Sequence, residues 1–406
     1  MPTNKVILLA NTDWYLFNFR LSLAQALRER GFEVILLSPD GSYGPKLRAL
    51  GFTWEAIPME RRSLNPWREI GLILWLARVF RRERPLLVHG FTIKGAVYSS
   101  LAARLAGVTI RVNGIDGLGY VFTSDELRAR MLRPVVSNLM RFAFNGKHSA
   151  VVLQNSSDVA LFKQSRIAAD RAVRLVRGAG VNLTRYRPRE PAETKKGAPL
   201  RIVLAARLIW EKGIGEFVEA SRILKSEGRS VIFLLAGSPD EGNPAAIQRS
   251  QIEEWHRDNL LTWLGHVSDM PALLSEVDVV VLPSYYREGL PTTLIEGAAC
   301  ALPLITTDAP GCREVVSRNG DDGILIPARD PKALADAIRM LDDDRALGVK
   351  LGLAARAKVQ TEFDENIVLG KLLSIYQELG AASPVPAPVP VPVAGLVATP
   401  PEGTSP

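Results

Sequence analysis

Short apolar runs alternate with amphipathic stretches along most of the chain. The runs are rich in Val, Ile and Leu, as at residues 5–10 and 279–282, and most are followed by a stretch with helical periodicity. Continuous apolar runs of this length are typical of strands buried on both faces of a parallel sheet. The predicted strands are residues 5–10, 33–38, 54–58, 86–89, 109–112, 150–153, 200–205, 231–236, 261–264, 279–282 and 304–307, with a further strand and turn within 174–182. This alternation predicts a doubly wound α/β fold.

The stretches between the runs predict the helices. These are residues 18–30, 44–50, 66–84, 95–106, 127–144, 156–163, 245–259, 271–275, 291–301, 333–342, 348–358 and 365–379, and one that ends at residue 224. Residues 11–17, after the first strand, are predicted to be a loop. Because this segment lacks the glycine-rich phosphate fingerprint of dinucleotide-binding folds, we do not expect the N-terminal half to bind a dinucleotide in the usual manner.

A polar, proline-rich segment interrupts the alternation at residues 187–199, and we interpret it as a linker. It separates two doubly wound, Rossmann-like halves, residues 1–186 and 200–364, and the cleft between them is the default ligand site. A last helix at residues 365–380 is expected to pack back on the N-terminal half. Residues 381–406 alternate Pro with Val and Ala, which predicts a disordered, polyproline-like tail.

The length and composition agree with two ordinary globular domains. The chain has 406 residues, of which 47% are hydrophobic and 23% charged. Its two cysteines, Cys300 and Cys312, provide no disulfide framework and favour a reducing compartment. The N-terminal apolar run is too short for the core of a signal peptide, and no apolar stretch approaches the ~20 residues of a membrane-spanning helix.

The charge is distributed unevenly. Residues 1–190 contain 29 Lys and Arg against 14 Asp and Glu, whereas residues 191–406 contain 21 against 29. A basic half favours an anionic partner, such as a nucleic acid, a phospholipid surface or a phosphate-bearing substrate. The helix predicted at residues 66–84 is apolar with a cluster of Arg at its end. It is interpreted either as an amphipathic helix on an anionic membrane or as a helix packed on the sheet.

Two carboxylates follow the strand predicted at residues 279–282. Glu288 lies in the loop after the strand, and Glu296 lies about two turns into the helix that begins near Pro291. Ligands of such units bind at the carboxyl ends of the strands, facing helix N-termini. Two carboxylates there suit the hydroxyls of a ribose or another sugar. The alternative is a pair of solvated glutamates on an ordinary helix.

Two cations follow the first strand of the second half. Arg207 and Lys212 lie in the loop after that strand, shortly before a helix, as in many phosphate sites. The spacing is also compatible with a solvated surface pair. Because Arg207, Lys212, Glu288 and Glu296 all belong to the carboxyl edge of one predicted sheet, cations for a diphosphate and carboxylates for hydroxyls together indicate a nucleotide sugar.

Other kinds of site find no support in the sequence. The four histidines, His89, His148, His256 and His266, are scattered and lack the spacing of metal ligands. Nucleophile-elbow and P-loop patterns are absent as well. We therefore expect neither a metal ion nor a cofactor.

Several motifs of the second half occur together. They are ARLIWEKG with Arg207, Lys212 and Gly213, LGHVSDMP with Gly265 and Val267, LPSYYREGLPTTLIE with Glu288, Gly289 and Glu296, and PGCREVV with Gly311 and Glu314. Residues 200–316 thereby resemble the donor domain of retaining glycosyltransferases of family four, which have the GT-B fold. The N-terminal pieces NTDWYLFNFR, HGFTIKGAVYSSLAARLAG and GLGYVFTS resemble the branch that extends undecaprenyl-diphosphate-linked saccharides. The resemblance covers about residues 4–380.

The resemblance implies a UDP-sugar as donor. Arg207 and Lys212 would neutralise its diphosphate, Glu296 would hold the ribose, and Glu288 would hold the transferred sugar. The further residues implied at the donor are Gly289, Leu290 and Pro291 along the phosphates and sugar, and Gly265 and Val267 at the base. The family pattern also implies retention of the anomeric configuration without a metal ion.

On the acceptor side, many relatives place a His after the strand at residues 109–112, and here that place is taken by Asp116. Asp116 therefore joins Glu288, Lys212 and Arg207 as a catalytic candidate. Further candidates for the acceptor phosphates or the cleft are Arg20, His89 and Lys94. The implied acceptor is a lipid-linked saccharide. The expected location is cytoplasmic and peripheral, on the anionic inner face of the membrane.

Two alternatives remain open at the level of sequence. The first is an enzyme of the same fold, either a glycosyltransferase or a sugar-nucleotide enzyme, that acts on a soluble acceptor. The second is a non-catalytic binder of nucleic acid that uses the basic half. The positive charge of that half is not interleaved with an aromatic stacking platform, which is unfavourable to the second alternative.

Overall fold

Two parallel sheets organise the chain, one in each half. The computed structural model describes residues 3–60, 63, 65–118, 121–122, 127–188, 198–240 and 242–384. The N-terminal sheet has seven strands in the order β3-β2-β1-β4-β5-β6-β7, and the C-terminal sheet has six in the order β10-β9-β8-β11-β12-β13. Every pairing within both sheets is parallel, as the continuous apolar runs predict.

The N-terminal half comprises strands β1 to β7 and helices α1 to α7. The strands are β1 Lys5–Leu9, β2 Glu33–Ser38, β3 Thr53–Ala56, β4 Leu87–Phe91, β5 Ile110–Ile115, β6 Ser149–Leu153 and β7 Val173–Leu175. The helices are α1 Asp13–Phe19, α2 Leu21–Glu29, α3 Gly44–Ala49, α4 Pro66–Glu83, α5 Thr92–Ala106, α6 Leu127–Phe144 and α7 Ser156–Gln164.

The C-terminal half repeats this architecture and ends in a helical segment. The strands are β8 Leu200–Ala205, β9 Val231–Ala236, β10 Thr262–Gly265, β11 Val279–Leu282, β12 Leu304–Thr307 and β13 Ile324–Ile326. The helices are α8 Ile214–Ser226, α9 Arg249–Arg257, α10 Met270–Ser275, α11 Thr292–Ala299, α12 Cys312–Val315, α13 Pro331–Asp343, α14 Arg345–Glu362 and α15 Glu365–Glu378. Most of the predicted elements agree with these bounds to within a few residues, and helix α12 and strand β13 were not predicted.

The predicted loop at residues 11–17 is wrong. Helix α1 begins at Asp13 because the Thr12 hydroxyl accepts a hydrogen bond from the backbone N–H of Tyr15 and so caps the first turn. The helix predicted from residue 18 is interrupted at Arg20, whose φ of −127° is not helical. A helix of seven residues is too short to show a clear apolar periodicity, and the capping residue was the available signal.

A glycine-rich segment at residues 113–122 begins inside strand β5. Strand β5 continues through Asn113 and Gly114 to Ile115, so that its carboxyl end lies next to Asp116. A larger residue at position 114 would not fit inside the sheet, because its Cβ would lie only 2.9 Å from the Phe91 ring. Residues 119–120 of this segment lie outside the described residues. The same holds for most of the predicted linker, residues 189–197, and for residues 385–406 of the predicted tail.

The last helix, α15, packs on the N-terminal sheet although it follows the C-terminal half in sequence. Its apolar side chains Val368, Leu372 and Tyr376 belong to the same buried cluster as residues of β1, β4 and β5. Two hydrogen bonds fasten its first residue, since Glu365 accepts from Ser22 at 3.0 Å and also from Asn182. The chain therefore crosses twice between the halves.

Helix α4 packs on the sheet through Leu72, Leu76 and Phe80, which are buried among residues of β1 and β2. Its outer side exposes Trp67, Ile70 and other residues to solvent. Packing on the sheet is therefore confirmed, and contact of the outer side with a membrane stays a prediction. Within the described part of the chain, no helix is both long enough and apolar enough to span a membrane.

Replacing Leu372 with Ala should destabilise the N-terminal half by about 2–5 kcal/mol, because the substitution leaves a cavity in a core that the last helix completes. Leu353→Ala is the matched control, since Leu353 is 58% exposed and Leu372 only 3%. Urea denaturation followed by tryptophan fluorescence measures both. Equal, small effects for the two variants would show that α15 does not contribute to that core.

Candidate active site

The C-terminal sheet has its topological switch point between β8 and β11. The chain runs from β8 outward to β9 and β10, and then returns so that β11 pairs with the other side of β8. The loops that leave the carboxyl ends of these two neighbouring strands consequently meet. They carry Arg207 and Lys212 after β8, and Glu288 after β11. Ligands of doubly wound sheets bind at this place.

Backbone contacts fasten the two loops to each other. The carbonyl oxygen of Glu211 accepts hydrogen bonds from the N–H groups of Tyr285 at 3.0 Å and Tyr286 at 3.1 Å, and from the Ser284 hydroxyl at 3.1 Å. Gly213 has a φ of +77°, and a Cβ at this position would lie 2.2 Å from the carbonyl oxygen of Pro283. Glycine at 213 therefore permits the close approach of the loops.

This approach pairs Lys212 with Glu288. The Lys212 ammonium donates a hydrogen bond to Oε1 of Glu288, and the Ser284 hydroxyl donates to the same oxygen at 2.9 Å. The two residues are 9% and 8% exposed, respectively. Burying one of these charges alone would cost several kcal/mol, so each side chain requires the other. The result is a fixed carboxylate and a fixed cation, side by side at the end of β11.

Arg207 does not join this pair. It is half-exposed, and its Nη1 donates to Oδ2 of Asp240 at 2.8 Å. Its position reflects the path of the loop, which turns toward the end of β9 and forms a bridge between Leu208 and Pro239. Both residues follow β8 as predicted, but Arg207 pairs with a residue that follows β9, whereas Lys212 pairs with one that follows β11, the strand on the other side of β8.

Glu296 lies on α11, about two turns from Glu288. The Tyr186 hydroxyl donates to Oε1 of Glu296 at 2.7 Å. Burial raises the pKa of the Glu296 carboxyl to about 7, an effect that the hydrogen bond from Tyr186 only partly offsets. Burial also raises the pKa of Tyr186, with Glu296 adding to the shift. Glu296 thus titrates close to neutral pH.

The residues after Glu288 lead into α11 and touch the N-terminal half. A Cβ on Gly289 would lie 1.5 Å from the carbonyl oxygen of Asp116. Leu290 is buried, and its Cδ2 lies 3.1 Å from the position of a Cβ on Gly178. Pro291 is the N-cap residue of α11. The backbone between Glu288 and α11 is therefore packed between the two halves.

Gly265 and Val267, which were predicted to border a base, follow β10. Gly265 has a φ of +68°, and its carbonyl oxygen accepts a hydrogen bond from the N–H of Gly237 at 2.7 Å. Val267 is partly buried against the core of the C-terminal half. Both lie at the carboxyl end of the outermost strand of that half of the sheet, separated by β9 from the loop that carries Lys212.

Asp116, in the N-terminal half, lies against the segment that joins Glu288 to α11. Its carboxylate accepts three hydrogen bonds, from the Tyr15 hydroxyl at 2.5 Å, from Arg20 at 3.1 Å and from the Gln154 amide at 2.5 Å. The donors come from α1, from the turn between α1 and α2, and from the residue after β6. The three hydrogen bonds fix the orientation of the carboxylate. Neither Tyr15 nor Gln154 was a candidate in the sequence, because they lie far apart in the chain.

His89 and Arg20 form a buried polar cluster behind Asp116. Nδ1 of His89 lies 2.6 Å from the Tyr376 hydroxyl, and the imidazole stacks on Phe91 with ring centroids 3.9 Å apart. Burial and the charge of Arg20 hold the pKa of His89 well below its usual range, so the imidazole is neutral. Within the described part of the protein, Nε2 of His89 and Nε of Arg20 are buried without a hydrogen-bond partner.

Lys94 is not part of this cluster. Its ammonium donates to Glu69 at 2.9 Å and to the carbonyl oxygens of Glu60 and Ser63. These contacts hold the segment before α4 against the start of α5. The structure therefore brings Arg20 and His89 together with Asp116 and directs Lys94 toward α4.

Several polar contacts tie the halves together around the site. Arg287 pairs with Asp158 at 3.0 Å, and Asn155 donates to the carbonyl oxygen of Gly289 at 2.9 Å. Glu314 accepts from the backbone N–H of Ser156 at 2.7 Å and also pairs with Arg177. Sequence analysis missed these contacts. For Glu314 the available signal was its place in the PGCREVV motif.

The arrangement suits a ligand with anionic and hydroxyl groups. A cation, two carboxylates and the N-terminus of α11 lie at the switch point of one sheet, and a polar cluster faces them from the other half. Among the described residues, no group of three or more His, Cys, Asp or Glu side chains could hold a metal ion. Both cysteines are buried thiols whose pKa burial raises, to about 11 for Cys300 and about 12 for Cys312. They are therefore poor nucleophiles.

Comparison with known families gives a match in each half. Residues 199–344 match the model of the glycosyl transferases group 1, and residues 5–156 match that of the glycosyl transferase 4-like domain. The first match contains Arg207, Lys212, Glu288 and Glu296. The second ends just after Asn155, one of the residues that contact the loop of Glu288. The matches thus include both sides of the site.

Among characterised proteins, the chain is similar to N,N'-diacetylbacillosaminyl-diphospho-undecaprenol alpha-1,3-N-acetylgalactosaminyltransferase of Campylobacter jejuni. The two are 28% identical over 374 residues, which is 90% of this chain and 96% of that protein. This chain is also 23% identical to UDP-Gal:alpha-D-GlcNAc-diphosphoundecaprenol alpha-1,3-galactosyltransferase of Escherichia coli, over 80% of this chain and 83% of that protein. Both similarities extend over the two halves.

Among solved structures, the fold is similar to that of Anabaena Alr3699/HepE in complex with UDP. The TM-score is 0.74 at 17% identity, and the alignment covers 92% of this chain and all of that chain. A glycosyltransferase from Rickettsia africae gives the same TM-score at 19% identity, over 93% of this chain and 99% of that chain. These similarities confirm the predicted fold, the GT-B arrangement of two Rossmann-like domains.

Replacing Gly289 with Ala should separate the two halves, because the added methyl group would overlap the carbonyl oxygen of Asp116. Small-angle X-ray scattering should then report a larger radius of gyration than for the wild type. Gly370→Ala is the control, since a Cβ on Gly370 meets nothing within 4 Å. Identical scattering of both variants and the wild type would show that the close contact at Gly289 does not hold the halves together.

Proposed function

The chain belongs to the group 1 glycosyl transferases, with a glycosyl transferase 4-like N-terminal half, and from this premise we propose that it transfers a sugar from a UDP-sugar to a saccharide linked to a polyprenyl diphosphate. The observation that carries the proposal is the buried pair of Lys212 and Glu288 at the switch point of the C-terminal sheet. The similarity to two transferases whose names specify diphospho-undecaprenol acceptors supports the acceptor class. The product would serve the synthesis of a cell-surface polysaccharide or glycan.

On the donor side, Lys212 and the N-terminus of α11 would stabilise the diphosphate as negative charge develops on the leaving UDP. Arg207 would contribute a second positive charge after exchanging Asp240 for a phosphate. Glu288, already oriented by Lys212 and Ser284, would accept hydrogen bonds from hydroxyls of the transferred sugar. The backbone from Gly289 onward would line the sugar and phosphates.

The nucleoside would lie along the same sheet edge. Glu296 would accept hydrogen bonds from the ribose hydroxyls, and the backbone around Gly265 and Val267 would border the base. No metal ion is required in this arrangement, because Lys212, Arg207 and a helix N-terminus supply the positive charge. The transfer would retain the anomeric configuration, with the leaving phosphate taking the proton of the acceptor hydroxyl on the same face of the sugar.

On the acceptor side, Asp116 would accept a hydrogen bond from the incoming saccharide. Its carboxylate is held by Tyr15, Arg20 and Gln154, and its carbonyl oxygen packs against Gly289. Asp116 thereby takes the place of the His that many relatives have after this strand. Arg20 and the neutral His89 lie behind Asp116, where an acceptor phosphate would find a cation and a hydrogen-bond donor.

A lipid-linked acceptor implies work at a membrane surface. We propose that the protein is cytoplasmic and binds peripherally to the inner face of the cytoplasmic membrane. The excess of Lys and Arg in residues 1–190 supports this location, since anionic headgroups attract such a half.

Replacing Lys212 or Glu288 with Ala should lower the rate of transfer by about 10²–10³-fold, because each variant removes one fixed charge from the reacting groups. The assay measures UDP release from a series of UDP-sugars in the presence of a polyprenyl-diphosphate-linked saccharide. Lys5→Ala and Glu83→Ala are the matched controls, since they break another Lys–Glu pair, with 2.8 Å between Nζ and Oε2. Lys5 is the first residue of β1, so this pair lies at the amino-terminal end of the strand, away from the candidate site. Full activity of both active-site variants would contradict the roles assigned.

UDP should bind more tightly as the pH rises from 6 to 8. Glu296 is largely protonated below its pKa of about 7, and ribose hydroxyls donate better to the ionised carboxylate. Binding would therefore release a proton at pH 6 and almost none at pH 8, which calorimetry in buffers of different ionisation enthalpy measures. Glu296→Gln should remove this pH dependence. A variant that keeps the pH dependence of the wild type would rule out Glu296 as its source.

A further inference from the structure

Helix α6 exposes a continuous apolar stripe. Its residues are Leu127, Met131, Val135, Leu139 and Phe142, which are 72%, 69%, 64%, 40% and 62% exposed. Their spacing of four, four, four and three residues places them on one side of the helix. We call these five residues the α6 stripe.

The opposite side of α6 already forms the core. Ala129, Met140, Ala143 and Phe144 are fully buried, and Phe144 packs in a cluster with residues of β6. The helix therefore does not need the α6 stripe to hold it on the sheet. Single exposed apolar residues are common on proteins, but five that line one side of a helix along its whole length mark an interaction surface.

The charge of α6 has one sign. The 18 residues of the helix include Arg128, Arg130, Arg133 and Arg141, and no Asp or Glu. Helical periodicity places Arg130 and Arg141 next to one edge of the α6 stripe. Arg141 donates to the carbonyl oxygens of Ser165 and Arg166, so its guanidinium stays close to the protein surface. An apolar stripe with an arginine border fits the boundary between anionic headgroups and acyl chains.

Helix α4 continues this surface. Helices α4 and α6 both pack against α5, so the three form one layer on the sheet. The first half of α4 exposes Trp67, Ile70 and Leu74, which are 81%, 48% and 45% exposed. Because each of these helices returns from the carboxyl edge of a parallel strand, the N-terminal ends of α4 and α6 lie at the edge that carries Asp116. The apolar residues thus extend to the mouth of the cleft.

We propose that the α6 stripe, together with Trp67 on α4, inserts into the surface of an anionic lipid bilayer. This inference rests on the proposed function, because a polyprenyl-diphosphate-linked acceptor would enter the cleft from that bilayer. A second copy of the chain is the less favourable occupant. Pairing two α6 helices face to face would bring two arginine-rich surfaces together, and like charges repel.

The test compares two double variants of the full chain. Met131→Glu with Val135→Glu places two negative charges in the α6 stripe. Val349→Glu with Leu353→Glu is the matched control, since these residues are 60% and 58% exposed and lie four residues apart on α14 in the other half. Sedimentation with phosphatidylcholine vesicles that contain or lack phosphatidylglycerol measures lipid binding, and light scattering after gel filtration measures the oligomeric state.

We expect the wild type and the control to bind the vesicles that contain phosphatidylglycerol, and the stripe variant to bind them at least about tenfold more weakly. The stripe variant should keep its turnover on a short-chain, water-soluble acceptor, because neither residue contacts the site. Vesicle binding of the stripe variant equal to that of the control would overturn the inference. So would a wild-type dimer that the stripe variant converts to a monomer without a change in lipid binding.

The two proposals fail in distinguishable ways. Wild-type protein that binds anionic vesicles through the α6 stripe but transfers no sugar to any lipid-linked acceptor would contradict the proposed function alone. Transfer to such an acceptor by a protein that does not bind these vesicles would contradict the stripe assignment alone.

Discussion

The buried ion pair between Lys212 and Glu288 is the interaction on which the site depends. Each charge lies where water is largely excluded, so each is tolerable only beside the other. The pair in turn requires two loops from neighbouring strands to touch, and Gly213 and the carbonyl oxygen of Glu211 make that contact possible. A donor diphosphate and sugar would therefore meet charges that are already in position, with little reorganisation at the moment of transfer.

The second constraint is the contact between the halves. The loop that carries Glu288 continues into Gly289, which packs against the backbone of Asp116, and Asn155 donates to the carbonyl oxygen of Gly289. The loop that carries Glu288 thus packs directly against the backbone of Asp116, whose carboxylate we propose for the acceptor side. The last helix, α15, reinforces this connection, because it completes the core of the N-terminal half after the chain has passed through the C-terminal half. The groups proposed for the donor and for the acceptor are therefore held close together by packing contacts between the two halves.

The outer helices of the N-terminal half suggest which side of the protein would face a membrane. The apolar residues of α4 and α6 lie on the surface of the same half that carries Asp116, and α6 has arginine and no acidic residue. A surface of this kind at the entrance would present a lipid-linked substrate to Asp116, while the C-terminal half remains free to exchange a soluble nucleotide. The uneven charge of the chain then has a structural counterpart in a particular helix.

Hydrophobic periodicity was enough to predict every strand except β13, their parallel arrangement and the sheet edge that carries the candidate residues. Continuous apolar runs such as Val279–Leu282 allow few other structures, and a carboxylate after such a strand has to lie at its carboxyl end. Which of these groups meet depends on the tertiary structure. Arg207 and Lys212 are five residues apart, yet one pairs with Asp240 and the other with Glu288. Tyr15 and Gln154 hold Asp116 although they are distant from it in the chain. Local periodicity records which face of an element is buried, but contacts between loops depend on how separate elements pack, and no single stretch of sequence contains that information.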